Sequence, residues 1–122
     1  MAVGLRVSST QDKPTRFYSK KQEDAVAKSL DGHRNANSGA TDFVKGDVST
    51  SDFLIECKTK TSHSESISVK KEWITKNAQE ALFMGKPYCA VAFSFGPDEP
   101  NYFIIDNTLM QYLLEKLREE KI

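Results

Sequence analysis

The stretch that decides the fold runs from residue 45 to residue 60 and reads KGDVSTSDFLIECKTK. Its second half is rich in β-branched and aromatic residues and follows a cluster of Ser, Thr and Asp, which predicts a strand after a turn. Successive side chains of a strand point to opposite faces of its sheet. The predicted strand therefore has an apolar face and a charged face; the first carries Phe53, Ile55 and Cys57, and the second carries Leu54, Glu56 and Lys58.

Asp47 lies nine residues before Glu56, upstream of the strand. If residues 48–51 turn the chain back, the two carboxylates meet at the edge of the sheet. Asp42 and Asp52 are alternatives, but Asp42 is farther from the strand and Asp52 is too close to fold back onto it. Spacing alone leaves two interpretations open, namely a salt-bridged surface and a catalytic site.

The composition describes one globular domain. The chain has 122 residues, of which 39% are hydrophobic and 28% charged, and its 17 basic residues balance 17 acidic ones. Cys57 and Cys89 lie in apolar, strand-like runs, which is typical of buried free thiols in a reducing compartment. No stretch is long enough to span a membrane and the first residues lack the apolar core of a signal peptide. The sequence thus predicts a soluble intracellular protein.

A first helix is predicted from Ser19 to about Leu30, after a flexible lead-in formed by residues 1–17. Ser19 and Gln22 fit the capping-box pattern at a helix start. Helical periodicity places Glu23 on the same face as Val26, Ala27 and Leu30. A carboxylate on a core-facing side needs a charged partner or a cation, unless Glu23 lies at the edge of this face and reaches solvent.

The remaining elements complete an α/β pattern. A second helix is predicted from Ser68 to a stop at Gly85, with Lys76 and Gln79 on its polar side and an apolar arc formed by Trp73, Ile74, Ala78, Ala81 and Leu82. Strands follow at residues 88–95 and 102–106, and a last leucine-rich helix is capped by Asn107 or Thr108. We expect a mixed central sheet with helices on both faces.

The charged face of the central strand has the residue types of a metal-dependent hydrolase. Mg²⁺ prefers oxygen ligands, often one or two carboxylates with water completing the shell. Asp47, Glu56 and the main-chain carbonyl of Cys57 are the candidate ligands, and a cation here would relieve the repulsion between the carboxylates. Lys58 would orient a metal-bound water or stabilise charge on a phosphoryl group.

Asp47 followed by Glu56-Cys57-Lys58 resembles the signature of the restriction-endonuclease-like, or PD-(D/E)XK, nuclease superfamily. Within that superfamily the chain is most similar to the Holliday junction resolvases of archaea and to related phage nucleases. A glutamate on the first helix is matched by Glu23, and an Arg-x-x-x-Ser-Gly motif is matched by Arg34, Ser38 and Gly39. The resemblance extends from residue 19 to about residue 106.

The resemblance implies a restriction-endonuclease-like core and a Mg²⁺-dependent endonuclease, with Mn²⁺ as a substitute ion, that hydrolyses phosphodiester bonds of branched DNA as a homodimer. It also implies Glu23, Asp47 and Glu56 at the metal and Lys58 beside the water. The candidate DNA-binding residues are Arg34, Ser38, Gly39 and Gln79 from the resemblance, Lys20 from a stripe of basic residues, and Lys76 beside Gln79. The implied location is the cytoplasm of a bacterial, archaeal or phage-infected cell. Two alternatives remain, a restriction-like or end-processing nuclease and a DNA-binding protein that keeps the fold without cleavage.

Overall fold

The described part of the chain, residues 15–35 and 47–121 of a computed structural model, forms three helices and five strands. In chain order these are α1 (Thr15–Ser29), β1 (His33–Arg34), β2 (Val48–Ser49), β3 (Phe53–Thr59), α2 (Lys71–Phe83), β4 (Tyr88–Ser94), β5 (Tyr102–Ile104) and α3 (Asn107–Glu120).

The five strands form one mixed sheet in the order β1-β2-β3-β4-β5. The central pair, β3 and β4, is parallel and is connected through α2, whereas the other neighbours are antiparallel. Parallel strands need such a crossover connection, and a helix usually provides it. The expected α/β architecture with a mixed sheet and flanking helices is confirmed.

Helix α1 covers the apolar face of β3. Ile55 and Cys57 are buried there with residues from α1, β2 and β4, and Phe53 is half-buried at the edge of the cluster. The helix contributes the small and medium apolar side chains Val26 and Ala27 to this cluster. The core cluster consists of Val26, Ala27, Val48, Ile55, Cys57 and Ala92.

Helix α2 covers the opposite face and is anchored by a polar residue. The buried Asn77 side chain donates from Nδ2 to the carbonyl oxygens of Leu54 at 3.4 Å and Ala90 at 3.0 Å. The predicted apolar arc is therefore partly wrong. Ala81 is buried as predicted, but Leu82 is 82% exposed, because the helix turns Asn77 towards the sheet and Leu82 towards solvent.

Two predictions at the start of α1 are wrong. The helix begins at Thr15, so residues 15–17 are helical rather than part of a lead-in, and residues 1–14 lie outside the described residues. Ser19 does not cap the helix, because it lies inside it and its Oγ donates to the Thr15 carbonyl at 3.3 Å. The side chain of Gln22, the other half of the predicted capping box, is buried against the sheet.

Further helix ends also differ from the prediction. Helix α2 begins at Lys71 rather than Ser68, and its predicted glycine stop is confirmed, with Gly85 in the left-handed region at φ 73°. Asp106 caps α3 instead of Asn107 or Thr108, because its Oδ1 accepts from the main-chain N–H of Leu109 at 2.8 Å.

The turn between β2 and β3 is fixed at several points. Thr50 Oγ1 accepts from the N–H of Phe53 at 3.0 Å, which closes the turn on itself. Two residues that follow α2 also contact the turn. Lys86 Nζ donates to the Thr50 carbonyl at 2.7 Å, and the Tyr88 N–H donates to the Asp52 carbonyl at 3.1 Å. The turn is thus held both locally and by the start of β4.

Helix α3 leaves much of its apolar surface exposed. Tyr112 stacks on Tyr88 with ring centroids 5.5 Å apart, and Leu109 is buried. A groove of about 690 Å³ lies between this helix and the sheet, with Phe53, Phe103 and Leu113 among its lining residues. The exposed apolar residues of α3 are Met110, Tyr112, Leu113, Leu114 and Leu117.

No helix in residues 15–35 and 47–121 combines the length and apolar character needed to cross a membrane.

Candidate active site

The turn brings Asp47 beside Glu56, as the spacing predicts. Val48 pairs with Ile55, so Asp47 and Glu56 come next at the open end of the β2–β3 pair. The main-chain N–H of Asp47 donates to the Ile55 carbonyl at 3.0 Å, and Asp47 Oδ2 accepts from the N–H of Cys57 at 2.7 Å. Asp47 is thus bonded to both residues that flank Glu56.

The alternative aspartates are placed differently. Asp52 lies exposed in the turn, where its carbonyl accepts from Tyr88, and Asp42 lies outside the described residues.

Lys58 contacts Glu56 on the same face of β3. Its Nζ lies 3.3 Å from Glu56 Oε2, and the two side chains are only 33% and 21% exposed. The ammonium also lies over the indole ring of Trp73 on α2, 5.1 Å from the ring centroid. The predicted carboxylate–lysine pair therefore exists and is covered on one side by α2.

Glu23 extends from α1 towards the open end of the β2–β3 pair and is held by Arg34. The Glu23 side chain is 17% exposed, and its Oε1 lies 3.3 Å from Arg34 Nε. Arg34 also lies 3.5 Å from Asp24 and is positioned by the pairing of β1 with β2. Glu23 therefore faces inward as predicted, and in this structure its partner is an arginine.

The three carboxyl groups of Glu23, Asp47 and Glu56 form a cluster of unfavourable negative charge. Burial raises the pKa of all three, and the charge of Asp47 raises the pKa of Glu23 and Glu56 further. These pKa increases are opposed by the hydrogen bond from the Cys57 N–H to Asp47, by Lys58 at Glu56 and by Arg34 at Glu23. Additional positive charge at this edge would stabilise the ionised cluster.

The donor set suits a hard cation that keeps several waters. Among the described residues, no three His, Cys, Asp or Glu side chains are placed to hold a metal ion together. Mg²⁺ is commonly bound through one or two carboxylates, with water and substrate oxygens completing the octahedron. The adjacent, half-buried carboxylates of Asp47 and Glu56 fit that pattern, while Glu23 is engaged by Arg34.

The Cys57 thiol is not a suitable ligand. It is buried in the core, and its pKa is raised by burial and then by the charges of Asp47, Glu23 and Glu56, so the thiol stays protonated. The main-chain N–H of Cys57 is used by Asp47. Its main-chain carbonyl as a metal ligand stays a prediction.

Helix α2 adds charged residues to the site. The charge of Lys76 lowers the pKa of Asp47, whereas Glu80 raises that of Glu56. The pKa of Glu80 is itself raised by burial. The charge of Lys76 lowers it, and the charge of Asp47 raises it further. Lys76 was predicted from the sequence but Glu80 was not. The i, i+4 spacing from Lys76 and the i, i+7 spacing from Trp73 nevertheless place Glu80 on the same side of the helix.

Gln22 is a second residue that sequence reasoning missed. Its Nε2 donates to the Lys58 carbonyl at 2.8 Å and to Asn101 Oδ1 at 2.9 Å, so it ties α1 to the end of β3 and to the loop before β5. The apparent capping box concealed this role. The signal available in the sequence was the i, i+4 spacing to Val26, which puts Gln22 on the buried face.

The other implied DNA-binding residues are peripheral or undescribed. Lys20 and Gln79 are exposed on α1 and α2. Ser38 and Gly39 lie outside the described residues.

Comparisons of the chain with protein-family models, with curated proteins and with solved structures found no match in any of the three.

Proposed function

We propose that this protein is a Mg²⁺-dependent endodeoxyribonuclease that hydrolyses phosphodiester bonds in branched DNA. The observation that carries the proposal is the placement of Asp47 against Glu56, with Lys58 3.3 Å from Glu56 on the same strand face. Two carboxylates at the open end of the β2–β3 pair could hold a Mg²⁺ ion, which would polarise a phosphoryl oxygen and lower the pKa of a bound water. The order of these residues along the chain also resembles that of the restriction-endonuclease-like nucleases.

Each residue has a defined role in this proposal. Asp47 and Glu56 hold the cation, which supplies charge stabilisation and a water of lowered pKa at the scissile phosphate. Lys58 orients the attacking water and balances negative charge as it develops on the phosphate. Arg34 opposes the pKa increase that burial and Asp47 cause at Glu23, and the exposed Lys20 and Lys76 are available to contact flanking phosphates.

Branched DNA and a homodimer belong to the same proposal. A two-fold dimer presents two equivalent sites, which is the arrangement needed to nick two strands symmetrically. The exposed apolar surface of α3 supports the dimer, because contiguous apolar patches on a soluble domain commonly mark protein interfaces. Leu113→Asp on α3 should shift the protein from dimer to monomer in sedimentation equilibrium.

Cleavage assays test the activity directly. Four-way junctions, flaps and linear duplex are incubated with the protein, with Mg²⁺, with Mn²⁺ and with chelator. We expect symmetric nicks in the junction that require the metal. The variants Glu56→Ala and Lys58→Ala should bind the junction in a gel-shift assay without cutting it. Each variant loses one group needed for hydrolysis but keeps the rest of the DNA-binding surface.

Lys121→Ala is the matched control, because this lysine is exposed at the end of α3, beyond the exposed apolar residues of that helix. Equal cutting by wild type and Glu56→Ala would contradict the site. If the protein cuts linear duplex or DNA ends in preference to junctions, it is a restriction-like or an end-processing nuclease rather than one that acts on branched DNA. Junction binding without cutting under every metal condition would identify a non-cleaving DNA-binding protein.

A further inference from the structure

The Lys58 side chain has two contacts that restrain its ammonium group. One is the Glu56 carboxylate, 3.3 Å from Nζ, and the other is the Trp73 indole, whose centroid lies 5.1 Å from Nζ. An ammonium within about 6 Å of an aromatic centroid is attracted to the negative face of the ring. About a third of the Lys58 side chain remains exposed, which leaves an open side for a substrate.

Trp73 is held firmly enough to act as a support. It lies in the first turn of α2 and is half-buried. Asn77, one helical turn further on, is bonded to the main chain of β3 and β4. Residues four apart share a helix face, so the bonds of Asn77 keep the same face of α2, and with it Trp73, against β3.

The two contacts differ chemically. Glu56 neutralises Lys58. Under the proposed function, the carboxylate oxygens of Glu56 also coordinate the Mg²⁺ ion. Trp73 attracts the ammonium without neutralising it and has no affinity for Mg²⁺. A lysine side chain has a flexible four-carbon stem, so its position depends strongly on such contacts. Trp73 is therefore the contact that remains when Glu56 is engaged elsewhere.

We infer that Trp73 is a positioning residue for the reaction, which keeps the Lys58 ammonium directed at the scissile phosphate. This inference rests on the proposed nuclease function. It assigns to α2 a part in the chemistry that the residues of β3 alone would not reveal, because Trp73 stands 15 positions after Lys58 in the sequence.

A substitution series at Trp73 tests the inference. Trp73→Leu should lower kcat for junction cleavage by about tenfold, the loss expected for one partly desolvated cation–π contact, and should leave KM unchanged. Trp73→Phe should restore most of kcat, since phenylalanine supplies a ring and leucine supplies only volume. Phe83→Leu is the control, because it removes an exposed ring from the opposite end of the same helix.

A second readout is independent of cleavage. The ε-methylene protons of Lys58 should show an upfield ring-current shift in the NMR spectrum of the wild type. The shift should disappear in Trp73→Leu, and it should persist in Phe83→Leu. Loss of the shift together with the kcat effect supports the inference.

The outcomes separate this inference from the proposed function. No cleavage by the wild type overturns the function. Wild-type cleavage with an unchanged kcat in Trp73→Leu overturns the positioning role alone. A fall in kcat that Trp73→Phe does not restore, or that appears without a change in the Lys58 resonances, also overturns it, because the effect would then be structural.

Discussion

The two faces of β3 are held against their helices by different kinds of contact. Towards α1, Ile55 and Cys57 pack into a cluster of apolar side chains in which Val26 and Ala92 are completely buried. Towards α2, Leu54 is fully buried, and the helix is fixed by hydrogen bonds from Asn77 and by the Lys58–Trp73 contact. Apolar packing is non-directional, whereas these polar contacts specify where each atom lies.

This difference separates stability from geometry. The apolar cluster on the α1 side contributes to the free energy of unfolding because its side chains are removed from water. The α2 side carries the charged residues, whose use requires defined positions rather than volume. Substitutions on the two faces should therefore have different effects on stability and on cleavage.

The largest change in stability should come from the α1 face. Ile55→Ala removes a 1% exposed side chain from the core and should lower the free energy of unfolding by about 3 kcal/mol, measured by urea denaturation. Cleavage per folded molecule should stay near the wild-type level. A large loss of kcat with unchanged stability would show that the two faces are not separated in this way.

A smaller loss of stability, but a loss of activity, is expected for Asn77→Leu. The side chain is 2% exposed and donates two hydrogen bonds, so its loss should lower the free energy of unfolding by about 1–2 kcal/mol. Because α2 is then free to shift, Trp73 should lose its position over Lys58 and kcat should fall. Circular dichroism melts and single-turnover kinetics measure the two effects, and unchanged kcat would argue against the anchoring role.

Asp47→Asn should increase stability. The pKa of Asp47 and of Glu56 is raised in the folded protein, so the native state binds more protons than the unfolded state above the ordinary aspartate value of 3.8. The free energy of unfolding of the wild type therefore falls as pH rises through the folded pKa values. Asparagine keeps an acceptor for the Cys57 N–H and carries no charge, so the variant should be more stable than the wild type at neutral pH.

Urea denaturation at several pH values measures this effect. The difference between Asp47→Asn and wild type should shrink as the pH falls and vanish well below pH 3.8, where the carboxyl is protonated in both the folded and the unfolded state. Asp52→Asn, in the exposed turn, is the control. Greater stability of the wild type at neutral pH without metal would contradict the unfavourable charge cluster.

The smallest effect is expected on the outer side of α2. Leu82 is 82% exposed, so Leu82→Gln should change the free energy of unfolding by less than about 0.5 kcal/mol. Ala81, next to Leu82, is buried. Ala81→Leu should therefore lower the free energy of unfolding by more than about 1 kcal/mol through overpacking. Thermal melts of the two variants compare these positions. A larger loss of stability in Leu82→Gln than in Ala81→Leu would indicate that Leu82 faces the core, as the sequence predicted.

The features of β3 that depend on local pattern were predictable. Strand alternation assigned Ile55 and Cys57 to one face and Glu56 and Lys58 to the other. The length of the turn selected Asp47 over Asp52. These inferences work because the period of a strand and the reach of a short turn are fixed by backbone geometry.

The contacts of α1 and α2 with the sheet were harder to predict. Asn77 and Gln22 are polar, and a pattern based on hydrophobicity places such residues outside, although here both are buried and donate to main-chain carbonyls. Asn77 lies 23 positions from its partner Leu54, and Gln22 lies 36 positions from its partner Lys58. Local periodicity contains no information about which distant carbonyl a buried amide will meet. The orientation of α2 was therefore predicted only in part: Trp73 was placed on the inner side of the helix, but its contact with Lys58 and the position of Glu80 were missed.

The turn at residues 50–52 has a consequence for how this chain tolerates insertions and deletions. Adding or removing one residue there would shift β2 by one position against β3, and in a strand such a shift moves every side chain to the opposite face. Asp47 would then point into the apolar core and Val48 away from it. Lineages of this protein should therefore vary in length between β3 and α2, where residues 61–70 form no helix or strand, and should keep the β2–β3 connection constant.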